Sequence, residues 1–429
     1  MSTFHANSIM TEDHVTDTHW LSRVLGITVN SVTVEDMSGS GGMSGHMRRL
    51  RIVSSDNEET TYVLKSTQQR GLEQSKQLGL AREGKFYCTF YENFKEILPV
   101  VKYSHGDLES GEKFILFEDL SDSVQTGYYF GPHSPLNWGK DLNAEKKDLH
   151  DVTLEMILEG SMMLAARYHG MNWKNASLLA DDMSWLRGSA WIKGRDETGW
   201  QGGQSYVKHC WMKTKAEKFG QADYKVKWSP YMIELIDTAM DKLSWIHFQE
   251  RIQNAPWTLV HGDFHPANMM WRPDDKCAQV KGVPAVVPTT EPEADGNERG
   301  PHHSHVHHRH QLHNLVLLDW EVVGIGSGAQ DLGQYFISHL HPIERRKYEE
   351  RMIRLYYAQL LSYGVQTEEY TYEMCWKEYV EGGSERWIWL LALMTQMCPD
   401  NMIQYFHDQV EAFARDHHVT PHNVGMPRL

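Results

Sequence analysis

Two short apolar runs in this chain end in groups that can handle metal and phosphate. The first, Leu259 to Trp271, carries His261, Gly262 and Asp263, with Asn268 five residues after the aspartate; the second, Leu315 to Glu321, ends Asp319-Trp320-Glu321. Both runs are short enough to be strands, with their polar residues at the ends. A carboxylate there can accept a hydroxyl proton, and an amide oxygen with a second carboxylate makes the hard oxygen set that Mg2+ takes. Three turn-forming residues closing two buried strands are the plain alternative. The sequence upstream weighs against it.

His-Gly-Asp-x-His-x-x-Asn followed by Leu-Asp-Trp-Glu resembles the aminoglycoside phosphotransferase and choline kinase superfamily, most closely its ecdysteroid kinase-like (CHK kinase-like) branch. The resemblance implies an α+β, bilobal protein-kinase-like fold with a small β-rich N-lobe and a large helical C-lobe. It implies that Asp263 orients the acceptor hydroxyl and takes its proton, while Asn268 and Asp319 hold Mg2+. His261 would brace the catalytic loop. Asp331, in the later Gln-Asp-Leu-Gly, would hold the same segment by hydrogen bonds. Glu321 is assigned either metal-bound water or a structural role.

These residues need an N-lobe to bring a nucleotide to them. From Ile27 to Val53 the pattern is β-like, interrupted by Ser38-Gly39-Ser40-Gly41-Gly42-Met43-Ser44-Gly45, and Thr60 to Ser66 forms a further strand carrying Lys65. A glycine-rich hairpin is by itself just a turn. Its place between strands, about 20 residues before a strand lysine, matches the kinase arrangement in which Gly39, Gly41 and Gly42 cover the ATP phosphates and Lys65 reaches them. Leu78 to Phe94 has helical spacing and carries Glu83, which the resemblance sets against Lys65; a charged outer face is the competing reading. The run Lys113 to Leu120 resembles the family's hinge, where Glu118 and Leu120 would offer backbone groups to adenine. Gly79 to Lys85 has Walker A spacing, but Phe86 stands where a metal-binding Ser or Thr is required and no apolar strand precedes it.

Composition narrows the classes. With 42 basic against 57 acidic residues and a net charge of −15, the chain lacks the overall basic footprint of a nucleic-acid or anionic-membrane binder. Apolar residues at 41%, with 15 tryptophans, supply a sizeable core. Cys88, Cys210, Cys277, Cys375 and Cys398 form no Cys-x-x-Cys pair, which fits a reducing compartment. There is no run of about 18 apolar residues, nor a basic stretch leading into an apolar one at the start. The expectation is a cytoplasmic protein without membrane or nucleic-acid partners, its oligomeric state left open.

The expected organisation is a helical extension over 1–26, an N-lobe over 27–120 and a C-lobe over 121–429. Leu149 to His169 and 231–253 read as helices, as do 342–363, 367–380, 384–397 and 399–418. The tryptophan-bearing stretch 184–211 is too irregular for one clean helix and reads as a loop-rich cap or as core. Residues 273–313, polar and ending in a histidine tract from His302 to His313, have no apolar period and read as an insertion looping out of a hairpin. The function expected is transfer of the ATP γ-phosphoryl group to a hydroxyl of a small-molecule acceptor: a sterol, an amino alcohol or a sugar. An aminoglycoside or choline-type kinase, and a pseudokinase-like binding module, are the alternatives.

Overall fold

The computed structural model describes residues 12–37, 45–145, 151–273 and 314–428. Helix α1 (Thr18–Leu25) is capped by the Asp17 side chain, which accepts from the amides of His19 and Trp20. Strands β1 (Val29–Asp36), β2 (Gly45–Ser54) and β3 (Glu59–Thr67) follow, then α2 (Leu72–Leu78), α3 (Arg82–Phe94), β4 (Val101–Gly106) and β5 (Lys113–Glu118). The five strands make one antiparallel sheet in the order β1-β2-β3-β5-β4.

Strand alternation decides what each face does. Leu64, Phe114 and Leu116 join Trp20 and Leu21 of α1 in one apolar cluster, whereas Val63, Ile115 and Phe117 join Phe86 and Phe90 of α3 in the main core. Lys65 and Lys113 share the parity of that second set, so both lysines are directed toward α3.

Beyond β5 the chain becomes mostly helical. Strand β6 (Val124–Gln125) leads to α4 (Leu142–Glu145), α5 (Leu154–Met171), α6 (Ser189–Ile192), α7 (Glu197–Glu217), α8 (Pro230–Asp241) and α9 (Trp245–Asn254). Strands β7 (Thr258–Val260), β8 (Met269–Trp271), β9 (Leu315–Leu317) and β10 (Gly324–Gly326) carry the two motifs. Helices α10 (Gly328–His339), α11 (Pro342–Ser362), α12 (Tyr372–Met394) and α13 (Asp400–Asp416) complete the large lobe. The two-lobed α+β architecture expected from the sequence is the one observed. Among the described residues no helix is long and apolar enough to cross a membrane.

Several local expectations are corrected. The stretch read as irregular contains α7, 21 residues long, because Trp200, Val207 and Trp211 fall on one buried stripe despite three glycines. The helices expected over 367–380 and 384–397 are one, α12. It runs through Gly382 and Gly383 because tertiary packing there requires glycine: a Cβ on Gly333 of α10 would lie 2.3 Å from the Gly383 Cα. The helix expected over 231–253 is interrupted between α8 and α9, where Ser244 caps the second. The one expected from Leu78 starts at Arg82, after α2 ends on Gly79 in the left-handed conformation. With a helix in front of Gly79, the Walker A spacing has no phosphate-loop geometry.

Residues 274–313, nearly all of the expected insertion, lie outside the described residues, as do Gly39, Gly41 and Gly42. Their flanks are described. β8 pairs with β9, Trp271 opposite Leu315, and Arg272 and Asn314 exchange hydrogen bonds of 2.7 and 2.9 Å, so the hairpin is already closed where the insertion leaves it. Asp36 lies opposite Arg48, and Met47 opposite Lys65, which puts the ends of the glycine-rich segment on Lys65's end of the sheet.

Two outcomes are expected. Replacing 273–313 by a turn about tenfold shorter should keep the protein folded and raise its unfolding free energy by up to about 2 kcal/mol through reduced closure entropy; denaturant titration measures this. Gly333→Ala should destabilise by about 1–3 kcal/mol from overpacking. By contrast Gly202→Ala, on an open face of α7 with nothing within 4 Å of the new Cβ, should be neutral or stabilising by up to about 1 kcal/mol.

Candidate functional site

Helix α3 and strands β3 and β5 build the first half of the site. Lys65 Nζ lies 2.7 Å from Glu83, 2.8 Å from Asp319 Oδ1 and 3.2 Å from Glu321. Lys113 lies 2.8 Å from Glu83 and is also paired with Glu321. Glu83 is therefore buried between two lysines, not on an outer face. Burial opposes the Lys65 charge, but Asp319, Glu83 and Glu321 outweigh it and hold the ammonium well above its ordinary range. Glu321 moves the other way: burial and the like charges of Asp319 and Glu83 raise its carboxyl despite the two lysines. Lys113 was not singled out from the sequence, although its parity with Ile115 and Phe117 was the available signal.

The second half is the loop between β7 and β8. His261 has its Nδ1 accepting from the Asp263 amide at 3.2 Å and its Nε2 donating to the Leu318 carbonyl at 2.9 Å. That pattern requires the neutral ring, and burial lowers its pKa accordingly. Gly262 has φ +80° and its Cα faces the Val322 carbonyl so closely that a Cβ would sit 2.7 Å from that oxygen. Only glycine fits the turn.

Asp331, at the start of α10, ties the loop down. Its Oδ2 accepts from the His261 amide at 2.8 Å, from Tyr168 Oη at 2.9 Å and faces His169 Nε2 at 3.3 Å, while its Oδ1 accepts from the Gly262 amide at 3.1 Å. Burial would raise this carboxyl, but the hydrogen bonds of His169 and of the His261 amide lower it.

Asp263 is held in position yet open, its side chain 39% exposed. Gln334 Nε2 donates to its Oδ1 at 2.7 Å; His265 Nε2 and Asn268 Nδ2 each approach its Oδ2 at 3.3 Å. Burial alone would raise its pKa; the charge and hydrogen bond of His265, with Arg386, outweigh that and keep it ionised below the ordinary range. Asn268 also gives Nδ2 to the Asp263 carbonyl at 3.0 Å, and its own carbonyl accepts from the Leu318 amide at 2.8 Å. This last bond sets Asn268 beside Asp319.

Asp319 has φ +64°, a backbone conformation rare for a residue with a Cβ. Its neighbour Trp320 is fully buried and stacked on Phe86 of α3 at 3.9 Å between ring centroids, which joins the motif to the helix that carries Glu83. Gln334 and Arg386, from α10 and α12, were missed from the sequence because nothing local distinguishes them; only the crossing of the two helices brings them to Asp263.

The residue set suits a divalent cation. Asn268 spends its amide hydrogens on the loop, leaving the carbonyl oxygen, and Asp319 has a partner among the described residues only at Oδ1. Glu83, Asp319 and Glu321 also present carboxylate oxygens within 4.8 Å of one another. Glu118 is a different case. Its carboxylate accepts from the Val100 amide at 2.8 Å and from Arg272, so it bolts β5 to the β8–β9 hairpin. Buried Leu120 follows, its carbonyl accepting from the Ser123 amide at 2.9 Å.

Asp331→Asn should lower the unfolding free energy by about 2–4 kcal/mol at neutral pH, because it offers N–H groups where amides and a hydroxyl need acceptors. Since the folded carboxyl has the lower pKa, its contribution is present above the unfolded value of about 4 and is lost as pH falls through the folded one. The wild-type advantage in denaturant titrations should therefore shrink on acidification below about pH 4.

No protein-family model matches the chain, and no curated protein sequence is similar to it. Solved structures do match over nearly the whole length. The macrolide 2'-phosphotransferase MphH from Brachybacterium faecium is 12% identical, with 93% of this chain and 97% of that one covered and a TM-score of 0.41. The choline kinase LicA from Streptococcus pneumoniae is 10% identical, with 93% and 97% covered and a TM-score of 0.43. The amicoumacin kinase hAmiN, solved with AMP-PNP and Ca2+, is 9% identical, with 96% and 97% covered and a TM-score of 0.37. All three are small-molecule kinases or phosphotransferases by name.

Proposed function

We propose that this protein is a Mg2+-dependent kinase that transfers the γ-phosphoryl group of ATP to a hydroxyl of a small molecule. The observation that carries the reading is the convergence of Lys65, Glu83, Asp263, Asn268 and Asp319 from separate segments, with the two carboxylates in different surroundings. Asp319 faces the lysines; Asp263 faces Gln334 and His265.

On this reading Lys65 moves part of its charge from Asp319 to the nucleotide phosphates, with Glu83 keeping it in place. Glu118 and Leu120 lie at the hinge, and Gly39, Gly41 and Gly42 would cover the phosphates. Asn268 and Asp319 hold the metal, which when bound neutralises phosphate charge as it shifts toward the leaving oxygen. Asp263 hydrogen-bonds the acceptor hydroxyl and takes its proton as the new P–O bond forms. Because Gln334 fixes one oxygen and His265 and Asn268 the other, the carboxylate is aimed before the substrate arrives, and preorganisation of this kind lowers the barrier.

The two aspartates should separate experimentally. Asp263→Asn is expected to keep Mg2+-ATP affinity in calorimetry while turnover falls by a factor on the order of 10² or more. Asp319→Asn should lose both, with ATP binding less responsive to Mg2+. Full activity in both variants, against an acceptor found by screening metabolites for ATP consumption, would remove the kinase reading; reversed binding behaviour would exchange the two roles.

A further inference from the structure

Three guanidinium groups of the described residues have no carboxylate paired to them. Among the described residues Arg82, Arg187 and Arg386 make no ion pair, in a chain with 57 acidic residues, whereas Arg251 and Arg428 both reach Glu385. Arg82 is filled by carbonyls: Nε donates to Trp185 at 2.8 Å and Nη1 to Leu78 and Gly79 at 3.0 and 3.1 Å. Arg386, only 4% exposed, gives Nη2 to the Gly262 carbonyl at 3.1 Å and approaches Gln334 with Nε at 3.4 Å. Its Nη1 is buried with no partner.

Arg187 is placed by backbone. Its amide donates to the Val323 carbonyl at 3.2 Å and its carbonyl accepts from Ile325 at 2.8 Å, so it adds a parallel bridge alongside Gly324 of β10. Gly324 is paired in turn with Val260, three residues before Asp263. The Arg187 side chain has no hydrogen-bond partner among the described residues. Burial first, then the like charges of Arg386 and Arg82, push its pKa down, and Asp263 is the carboxylate that pulls it back. Arg187 thus borders the strand paired with the one that leads to Asp263, and Arg386 donates to the carbonyl of the residue just before it.

Arg187 is half-buried and unpaired and Arg386 is buried with one nitrogen unsatisfied, and such guanidinium groups fit an oxyanion that takes two parallel N–H donors. We infer that the acceptor is a small alcohol bearing an anionic group, a carboxylate or a phosphate ester, which Arg187 and the free Nη1 of Arg386 hold while its hydroxyl meets Asp263. The inference rests on the kinase reading for the role of that hydroxyl. It disfavours a cationic acceptor of the aminoglycoside or choline kind, whose ammonium group would meet like charge here.

The test is calorimetric binding of D-glycerate, glycerol 3-phosphate, glycerol and choline, each up to about 10 mM, to the full chain with and without Mg2+-ADP. At least one of the two anions should bind, and the tighter of them tells carboxylate from phosphate; glycerol and choline should not. Arg187→Met should weaken anion binding roughly 10- to 100-fold and leave the melting temperature and Mg2+-ADP affinity unchanged. Arg187→Lys, which keeps the charge but not the fork, should fall between, and it serves in place of the methionine variant should that one not fold. Four results would each overturn the inference: neither anion binding, glycerol or choline binding as well as the anions, anion affinity indifferent to Arg187, or Mg2+-ADP affinity falling with it because the cluster reads nucleotide phosphate. Failure of wild-type Mg2+-ADP binding would instead strike the kinase reading, since the anion measurements without nucleotide stand separately.

Discussion

Everything at the lobe junction depends on one buried cluster of charge: Lys65 and Lys113 against Glu83, Asp319 and Glu321. Removing any of these ions from water costs several kcal/mol, and only the opposite charges beside it offset that cost. No member can leave without stranding another. The cluster thus fixes α3 against β3 and β5, and it fixes the segment after β9 against both. Three lysine and glutamate side chains in it are almost completely buried, Lys113 at 0% side-chain exposure, Glu83 at 3% and Lys65 at 9%, while Asp319 keeps 36%. The exposed carboxylate is the one that a ligand arriving from solvent can reach.

A second constraint holds the loop between β7 and β8. Asp331 collects two loop amides, a tyrosine hydroxyl and a histidine, and it can do so only because α10 lies directly under the loop. That helix is held by the glycine contact with α12, where Gly333 and Gly383 let the backbones approach. The same crossing carries Gln334 and Arg386 to Asp263. Stability and chemistry therefore share one device: a close helix pair that delivers hydrogen-bond donors to both sides of a turn.

The two aspartates of the site consequently experience different fields. Asp319 is balanced by ammonium groups that it shares with two glutamates, while Asp263 is surrounded by donors and by the positive charge of His265 and Arg386. A phosphate entering on the Asp319 side competes with carboxylates for Lys65. An anion entering on the Arg187 side has no protein carboxylate to displace among the described residues. On the proposed function, this asymmetry assigns the nucleotide to one end of the cleft and an oxyanion-bearing acceptor to the other.

The sequence by itself determined the residues whose chemistry is local. His261, Gly262, Asp263, Asn268 and Asp319 stand on short apolar runs at fixed spacing, so their placement at strand ends follows from periodicity, and the pairing of Lys65 with Glu83 followed from the family resemblance. The alternating pattern around Lys113 was equally legible and went unused. Tertiary structure decided what no window of sequence contains. Glycines in α7 and α12 look like helix breakers, yet buried stripes and a backbone crossing override a propensity cost of about 1 kcal/mol each. Gln334 reaches Asp263, and Arg386 the Gly262 carbonyl beside it, from positions 71 and 124 residues away along the chain. Their role is set by where helices cross and strands bridge, because hydrogen bonds and charge act through space and not along the chain.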